Sequence, residues 1–418
     1  MNKNNKSETI LKYAVEGIEA RERDGIPLDQ YLDDGLKNDP ALRKTITSLL
    51  FSYYRNKAVI DRLIKELAPK VKNQQKRVIA AACTQIFFMD GISPESAVNV
   101  AVAYAKRRYG SKPAGFINAV LRKAGTVDIN SYTSNIPLES RLNACPELVK
   151  RWKKIFSTEQ LRQLADALKS PPAMTFRALK PLPKEELEEL QATPLELPEW
   201  AGQNSFYSCA APGKLIEKSW TSQGMIYIQD PATALAPYMA KLNKEHLVLD
   251  MCAAPGGKSL MLAEKVNDGN VFACDRSYKR QLLTRENFIN SGSNNHVITA
   301  SALEPPFRNE SFDLILLDVP CSNTGVGRHR PDALWSFSAS KFDELKELQR
   351  NILNTAANLL KPGGQLIYST CSIEKEENNL QISAFIADNP EFTLVQETQL
   401  LPTTIHDGAY AAGLRKVQ

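Results

Sequence analysis

Two cysteines of this 418-residue chain stand in settings that could do chemistry. Cys321 follows Asp318 and Pro320 in LLDVPCSNTGVGRH, and Cys371 follows Thr370 in YSTCSIEKEEN. Each lies where an apolar run gives way to a polar, turn-like stretch, so the thiol can be presented as a nucleophile. Either cysteine alone would more often be core filler. A third stretch, LVLDMCAAPGGKSL at 247–260, sets a glycine pair and Lys258 after another apolar run. It closes like a triphosphate-binding loop, but the opening glycine would have to be residue 252, which is Cys252. Pro255 also removes an N–H that a phosphate would use. The nicotinamide fingerprint Gly-x-Gly-x-x-Gly is missing too. Gly256 and Gly257 still let the backbone approach a ligand. Asp275, which ends the next apolar run, can accept hydrogen bonds from a ribose diol. A nucleoside without a phosphate tail, such as S-adenosylmethionine, fits this loop better than a nucleotide does.

The elements that must position these groups are legible from about residue 220 onward. Short apolar runs occur at 246–251, 269–275, 296–301, 312–320 and 364–371, most of them separated by helical stretches such as KSLMLAEKV and RQLLTRENFI. Buried parallel strands read as continuous apolar runs, and this spacing predicts βαβ units in a doubly wound sheet. Ligands of such a sheet bind at the carboxyl ends of its strands. With the first and fourth strands adjacent at the switch point, both cysteines would open onto the crevice beside the glycine loop.

The first third reads differently. Ser7 is placed to cap a helix carrying Ile10, Ala14 and Ile18 on one face, and residues 76–92 form an apolar helix ended by Gly91. Residues 94–110 and 116–125 continue the helical pattern with basic ends and no strand-like alternation. Residues 1–130 hold 22 Lys and Arg against 14 Asp and Glu, while the rest of the chain is slightly acidic, so the basic third suits a polyanion or simply a solvated surface. Between the two regions, Ser157 and Gln160 fit a capping box, 175–179 reads as a strand and 183–193 as a helix. The expected domains are therefore 1–135, all-α; 136–220, a small α+β subdomain; and 221–418, α/β and doubly wound (Rossmann-like). No run of eighteen apolar residues occurs and MNKNNKSETI lacks a secretory core, so a cytoplasmic protein without a membrane span is expected. Seven scattered cysteines without a CxxC pair argue against a disulfide framework and a zinc site.

Three motifs together, DMCAAPGGKS, LLDVPCSNTGVGRH and YSTCSIEKEEN, resemble those of the NOL1/NOP2/Sun family of RNA (cytosine-C5) methyltransferases. SKPAGFINAVLRK at 111–123 and its helical surroundings resemble the RNA-binding fold of the antitermination factor NusB, a fusion found among bacterial 16S ribosomal RNA methyltransferases. The resemblance implies transfer of a methyl group from S-adenosylmethionine to carbon 5 of a cytosine in 16S rRNA, cytosine 967 in the family's bacterial type. It implies that Cys371 is the nucleophile that adds to carbon 6, that Cys321 assists release, and that Asp318 holds the cytosine edge. That hold runs through ring atom N3 or the exocyclic amine, and holding N3 by donation would require a protonated Asp318. Lys258 is a cation placed to favour thiolate.

Cofactor contacts carried over from the family fall on the backbone of Cys252, Ala253, Ala254, Pro255, Gly256, Gly257 and Lys258, and on Asp275 and Arg280. Asp318 is counted with them. Ala302 stands where the family usually places an aspartate near the adenine, and Ser301 is the neighbouring substitute. Arg328, His329 and Arg330 are candidate RNA-phosphate contacts, and His329 has no partner at metal-ligand spacing. The expected partner is RNA, with no metal, acting as a monomer. Competing expectations are a DNA cytosine-C5 methyltransferase, in which the Pro-Cys thiol attacks, a non-enzymatic RNA-binding factor, and a phosphate-binding ATPase.

Overall fold

The computed structural model describes residues 3–36, 39–202 and 205–417. Two compact units account for the chain. One runs from the N-terminal helix to Pro171 and includes Gly327–Phe337, and the other comprises Pro172–Val326 and Ser338–Gln418.

The first unit is all helix. Its core joins Leu11, Ala14 and Ile18 of the helix Lys3–Asp24 to Ile46, Leu50 and Tyr54 of Pro40–Arg55 and to Val78–Cys83 of Asn73–Phe88. Ile10 only packs against this core from its edge. The first helix starts at Lys3, so Ser7 lies inside it and is not its cap. The helix Asn73–Phe88 ends before the expected stop at Gly91: Met89 is already extended, and Gly91 takes its positive φ of 79° in the turn that follows. The helices Pro146–Ile155 and Thr158–Lys169 belong to this unit, although the sequence reading grouped them with the connecting subdomain. Their buried faces, Leu148 with Trp152 and Leu161 with Leu164 and Leu168, are amphipathic stripes that fit a helical partner as readily as a sheet. The Ser157–Gln160 capping box forms in both directions.

The second unit holds two sheets. Strands β1 (Met174–Ala178), β2 (Ala192–Pro194), β3 (Phe206–Cys209) and β4 (Ile226–Ile228) form a small sheet in the order β2-β3-β1-β4, and every pairing in it is antiparallel. Seven further strands make the main sheet: β5 (Val248–Asp250), β6 (Val271–Asp275), β7 (His296–Thr299), β8 (Phe312–Asp318), β9 (Leu360–Thr370), β10 (Phe392–Leu400) and β11 (Ala409–Lys416). Their order is β10-β11-β9-β8-β5-β6-β7, with β5 through β9 parallel to one another. The expected adjacency of the first and fourth strands is therefore present, β5 against β8, and β9 lies on the far side of β8. β11 inserts antiparallel between β9 and β10. β10 escaped the sequence reading because it is an edge strand whose residues after Phe392 are exposed or half-buried.

Among the described residues no helix is long and apolar enough to cross a membrane.

Candidate active site

The reactive groups sit where parallel strands end. Asp250 closes β5, Asp318 closes β8 with Cys321 three residues on, and Cys371 directly follows β9. Since β8 pairs with both β5 and β9, the parallel register delivers all three strand ends to one edge of the sheet. The two sulfur atoms lie 3.1 Å apart. Cys321 is buried and Cys371 partly exposed. The hydrogen bond with Cys371, then burial, then the charges of Cys371 and Glu377 push the Cys321 thiol well above its ordinary range. Cys321 therefore keeps its proton.

Both turns are pinned by buried polar groups that the sequence reading did not single out. Glu377 accepts hydrogen bonds from the Ser322 amide at 2.8 Å, the Ser322 hydroxyl at 2.5 Å and Gln349 Nε2 at 2.9 Å. Gln349 also donates to the Pro320 carbonyl at 2.9 Å, so the Pro-Cys turn is held from two directions. Thr370 Oγ1 donates to Asn378 Oδ1 at 2.6 Å, and Asn378 Nδ2 donates to the Ser372 carbonyl at 2.9 Å. Asn323, at a positive φ of 59°, spans the two turns. Its Nδ2 donates to the Cys321 carbonyl at 3.0 Å while its Oδ1 accepts from Cys371 Sγ at 3.1 Å. The signal available in sequence was the run of polar residues immediately after each cysteine, which a buried position must satisfy.

Beside the sulfurs, Lys258 Nζ donates to Asp318 Oδ2 at 2.6 Å in a largely buried ion pair. Burial alone would depress the Lys258 ammonium, but the Asp318 carboxylate outweighs it and holds the group above its usual value. Lys258 is thus a cation that feels the charge of Cys371 as well as that of Asp318, and Asp318 is engaged by its ammonium.

A cavity of about 200 Å³ opens next to this pair, lined by Cys252, Ala253, Ala254, Pro255, Gly257 and Lys258 from the glycine loop, by Asp318, and by Asp250. The Tyr227–Asp230 stretch and Thr233 complete it. Asp250 was not anticipated. It is completely buried, its Oδ2 accepts from the Ser259 hydroxyl at 2.7 Å, and burial raises its pKa from 3.8 to about 7. Its place as the last residue of the first strand was the available clue. The Cys252 thiol is pushed well above its ordinary range by burial and by Asp250, Asp318 and Asp275, so it is no nucleophile.

The glycine pair answers to packing as well as to the loop. Gly256 has a φ of 98°, and a Cβ there would stand 2.9 Å from Thr284 Cγ2. A Cβ on Gly257 would meet the Tyr227 ring at 2.7 Å. Gly256 itself does not line the cavity.

Asp275 also lies outside the cavity lining. Its carboxylate accepts from the Ala254 amide at 3.2 Å and the Ser277 amide at 2.9 Å, fixing the loop and capping the next turn. Arg280 reaches back to donate to the Ala254 carbonyl. Ser301 uses its hydroxyl to accept from the Leu303 amide, and Ala302 packs into the apolar core with Leu249, Met251 and Cys274, so neither lines the cavity. Arg328 is 2% exposed and Arg330 pairs with Asp29 at 2.9 Å, which removes Arg328 from the candidate RNA-phosphate contacts and engages Arg330.

Residues 236–412 match the family model described as 16S rRNA methyltransferase RsmB/F, and residues 8–126 match the NusB family. The protein of Bacillus subtilis named "Probable ribosomal RNA small subunit methyltransferase B" is 31% identical over 365 residues, covering 84% of this chain and 81% of its own. The ribosomal RNA small subunit methyltransferase B of Vibrio cholerae is 33% identical over 81% of this chain and 80% of its own. The chain belongs to the RsmB family of ribosomal RNA small subunit methyltransferases. A solved methyltransferase homologue from Pyrococcus horikoshii is 26% identical with a TM-score of 0.56, over 67% of this chain and 98% of its own.

S-adenosylmethionine is the methyl donor of the RsmB family. The residues present suit it. Two residues of the cavity lining, Asp250 and Gln229, each hold a buried acceptor atom without a hydrogen-bond partner, Oδ1 and Oε1, beside the backbone of the glycine loop. Acceptors of this kind match a cationic ligand that carries an ammonium and hydroxyl donors.

Proposed function

We propose that this protein methylates carbon 5 of a cytosine in 16S rRNA, cytosine 967 in the family's numbering of the RNA, through a covalent bond between Cys371 and carbon 6. The observation that carries this reading is the pair of sulfurs 3.1 Å apart, the more exposed one belonging to Cys371 and the proton-retaining one to Cys321. The bound donor supplies an electrophilic methyl group. Cys371 adds to carbon 6, which makes carbon 5 enamine-like and able to attack that methyl. Asp318, held by Lys258, accepts from the exocyclic amine of the base, which distinguishes cytosine from uracil. After transfer the carbon 5 proton passes to water, its bonding pair restores the 5,6 double bond, and the Cys371 sulfur leaves carbon 6 as thiolate, a release that the protonated Cys321 thiol 3.1 Å away assists by hydrogen bonding to it. The base must be turned out of its stack to reach the strand ends.

A denaturing gel with labelled rRNA tests the assignment. Cys371→Ala forms no covalent complex and transfers no methyl, whereas Cys321→Ala accumulates protein attached to RNA. The opposite pattern, an adduct with Cys371→Ala and none with Cys321→Ala, would mean that the Pro-Cys thiol attacks and that the roles are reversed. The alternative of a non-enzymatic RNA-binding factor predicts no heat of S-adenosylmethionine binding in calorimetry.

A further inference from the structure

The helical unit contains a second cavity, of about 230 Å³, far in sequence from the catalytic motifs. Its walls come from the end of the helix Pro40–Arg55, from Ile129–Asn135 and Leu138–Arg141, and from the last turn of Thr158–Lys169. Three cations face it: Arg55, Arg141 and Lys169.

Arg55 is the unusual one. It is 9% exposed, and no carboxylate pairs with it among the described residues. One of its nitrogens donates to the Arg328 carbonyl at 2.7 Å, while its Nε is buried without a hydrogen-bond partner. Burial, and then the neighbouring Arg328 guanidinium, lower its pKa to about 10, so its surroundings oppose the charge. The Nε of Arg141 is likewise buried without a partner. A buried guanidinium without a counter-ion is costly, and a cavity lined by buried Arg55, half-buried Arg141 and exposed Lys169 is completed by an anion.

The other polar groups do not supply one. Asp166 is the single carboxylate in the lining, and it is exposed and ion-paired with none of the three cations. The Thr133 and Ser134 hydroxyls donate to the carbonyls of Ile129 and Asn130 within their own helix turn. Planar guanidinium forks match the geometry of a phosphate better than that of a monovalent halide. Val59 and Phe88 add an apolar wall on which the sugar or base next to that phosphate can rest.

We propose that this cavity is a binding subsite for one phosphate group of an RNA backbone, held by Arg55, Arg141 and Lys169. This rests on the reading of the protein as one that acts on 16S rRNA, and it adds the place where the helical unit grips the chain. Contacts to phosphate position a nucleic acid without reading its sequence, so the subsite sets affinity and register, and the choice of base stays with the strand ends of the second unit.

The test uses the full chain and a transcribed 16S rRNA fragment, with Arg141→Gln and Lys169→Gln made singly and together so that buried Arg55 is left in place. Affinity is measured between about 50 and 300 mM salt, where each lost phosphate contact lowers the slope of log affinity against log salt by about 0.7 to 1. Each variant is expected to bind RNA about 3- to 10-fold more weakly with a shallower slope, to bind S-adenosylmethionine as the parent does, and to keep the parent's circular dichroism. Unchanged affinity and slope in the double variant overturn the subsite. Weakened binding of inorganic phosphate or adenosine monophosphate, with RNA binding unchanged, also overturns it and assigns the cavity to a free anion. If the parent methylates no rRNA yet the variants still bind it more weakly, the proposed function fails and the subsite stands.

Discussion

Asp250→Asn separates stability from cofactor binding at one buried atom. In the folded chain the Asp250 carboxyl has a pKa of about 7, against 3.8 in the open, because burial disfavours its charge. Between about pH 4 and pH 7 the unfolded carboxyl has lost its proton while the folded one keeps it, so folding takes up a proton. Stability therefore falls as pH rises through that window, and the full cost is present above pH 7. About three pH units at ~1.4 kcal/mol each set a ceiling of ~4 kcal/mol. An effective interior permittivity nearer 20 than 4 brings the expectation to about 2–4 kcal/mol. Asparagine has no proton to lose, and its amide oxygen can still accept from Ser259. Calorimetric melts should therefore find variant and parent close at pH 4. At pH 8.5 the variant should melt higher, by about 5–10 °C for the transition of the second unit. Asp250 lines the cavity and its Oδ1 has no hydrogen-bond partner, so the same change should weaken S-adenosylmethionine binding about 10-fold, the cost of losing a charged acceptor. A melting difference that is the same at both pH values, or that grows towards acid, would refute the account of a buried and reluctantly charged carboxylate.

Three further outcomes are expected. Gly257→Ala sets a methyl 2.7 Å from the Tyr227 ring and should cost about 1–3 kcal/mol, recovered in large part when Tyr227→Ala is combined with it; additive losses in denaturant melts would contradict this. Ala302→Asp, which restores the family's usual acid, places a carboxylate in an apolar core and should destabilise by about 2 kcal/mol or more without tightening S-adenosylmethionine binding, so a gain in affinity by calorimetry would show that the position does reach the ligand. Glu377→Gln removes the charge from a buried acceptor of three hydrogen bonds at the Pro-Cys turn and should lower stability by about 1–3 kcal/mol. In that variant Cys321 should be alkylated faster by iodoacetamide, and an unchanged rate would place the restraint elsewhere.

The sequence alone determined the sheet and the motifs. Continuous apolar runs at the expected spacing can be buried only as parallel strands under helices, and the two cysteines, the glycine loop and Asp318 follow those runs, so their convergence on one edge was legible from periodicity. The strands β1 and β8 and the capping box at Ser157 are local patterns, and they appear where local chemistry puts them. What the tertiary structure decided are relations between residues far apart in the chain. Lys258 and Asp318 are 60 residues apart, and nothing in their spacing announces that they form an ion pair. Asp250 looks like any strand-end acid until its complete burial raises its pKa. Arg328 reads as a basic residue in a polar loop, yet it is buried against Arg55, 273 positions away. Charge, burial and hydrogen bonding depend on what a side chain faces, and one-dimensional spacing fixes only which way an element's faces are turned.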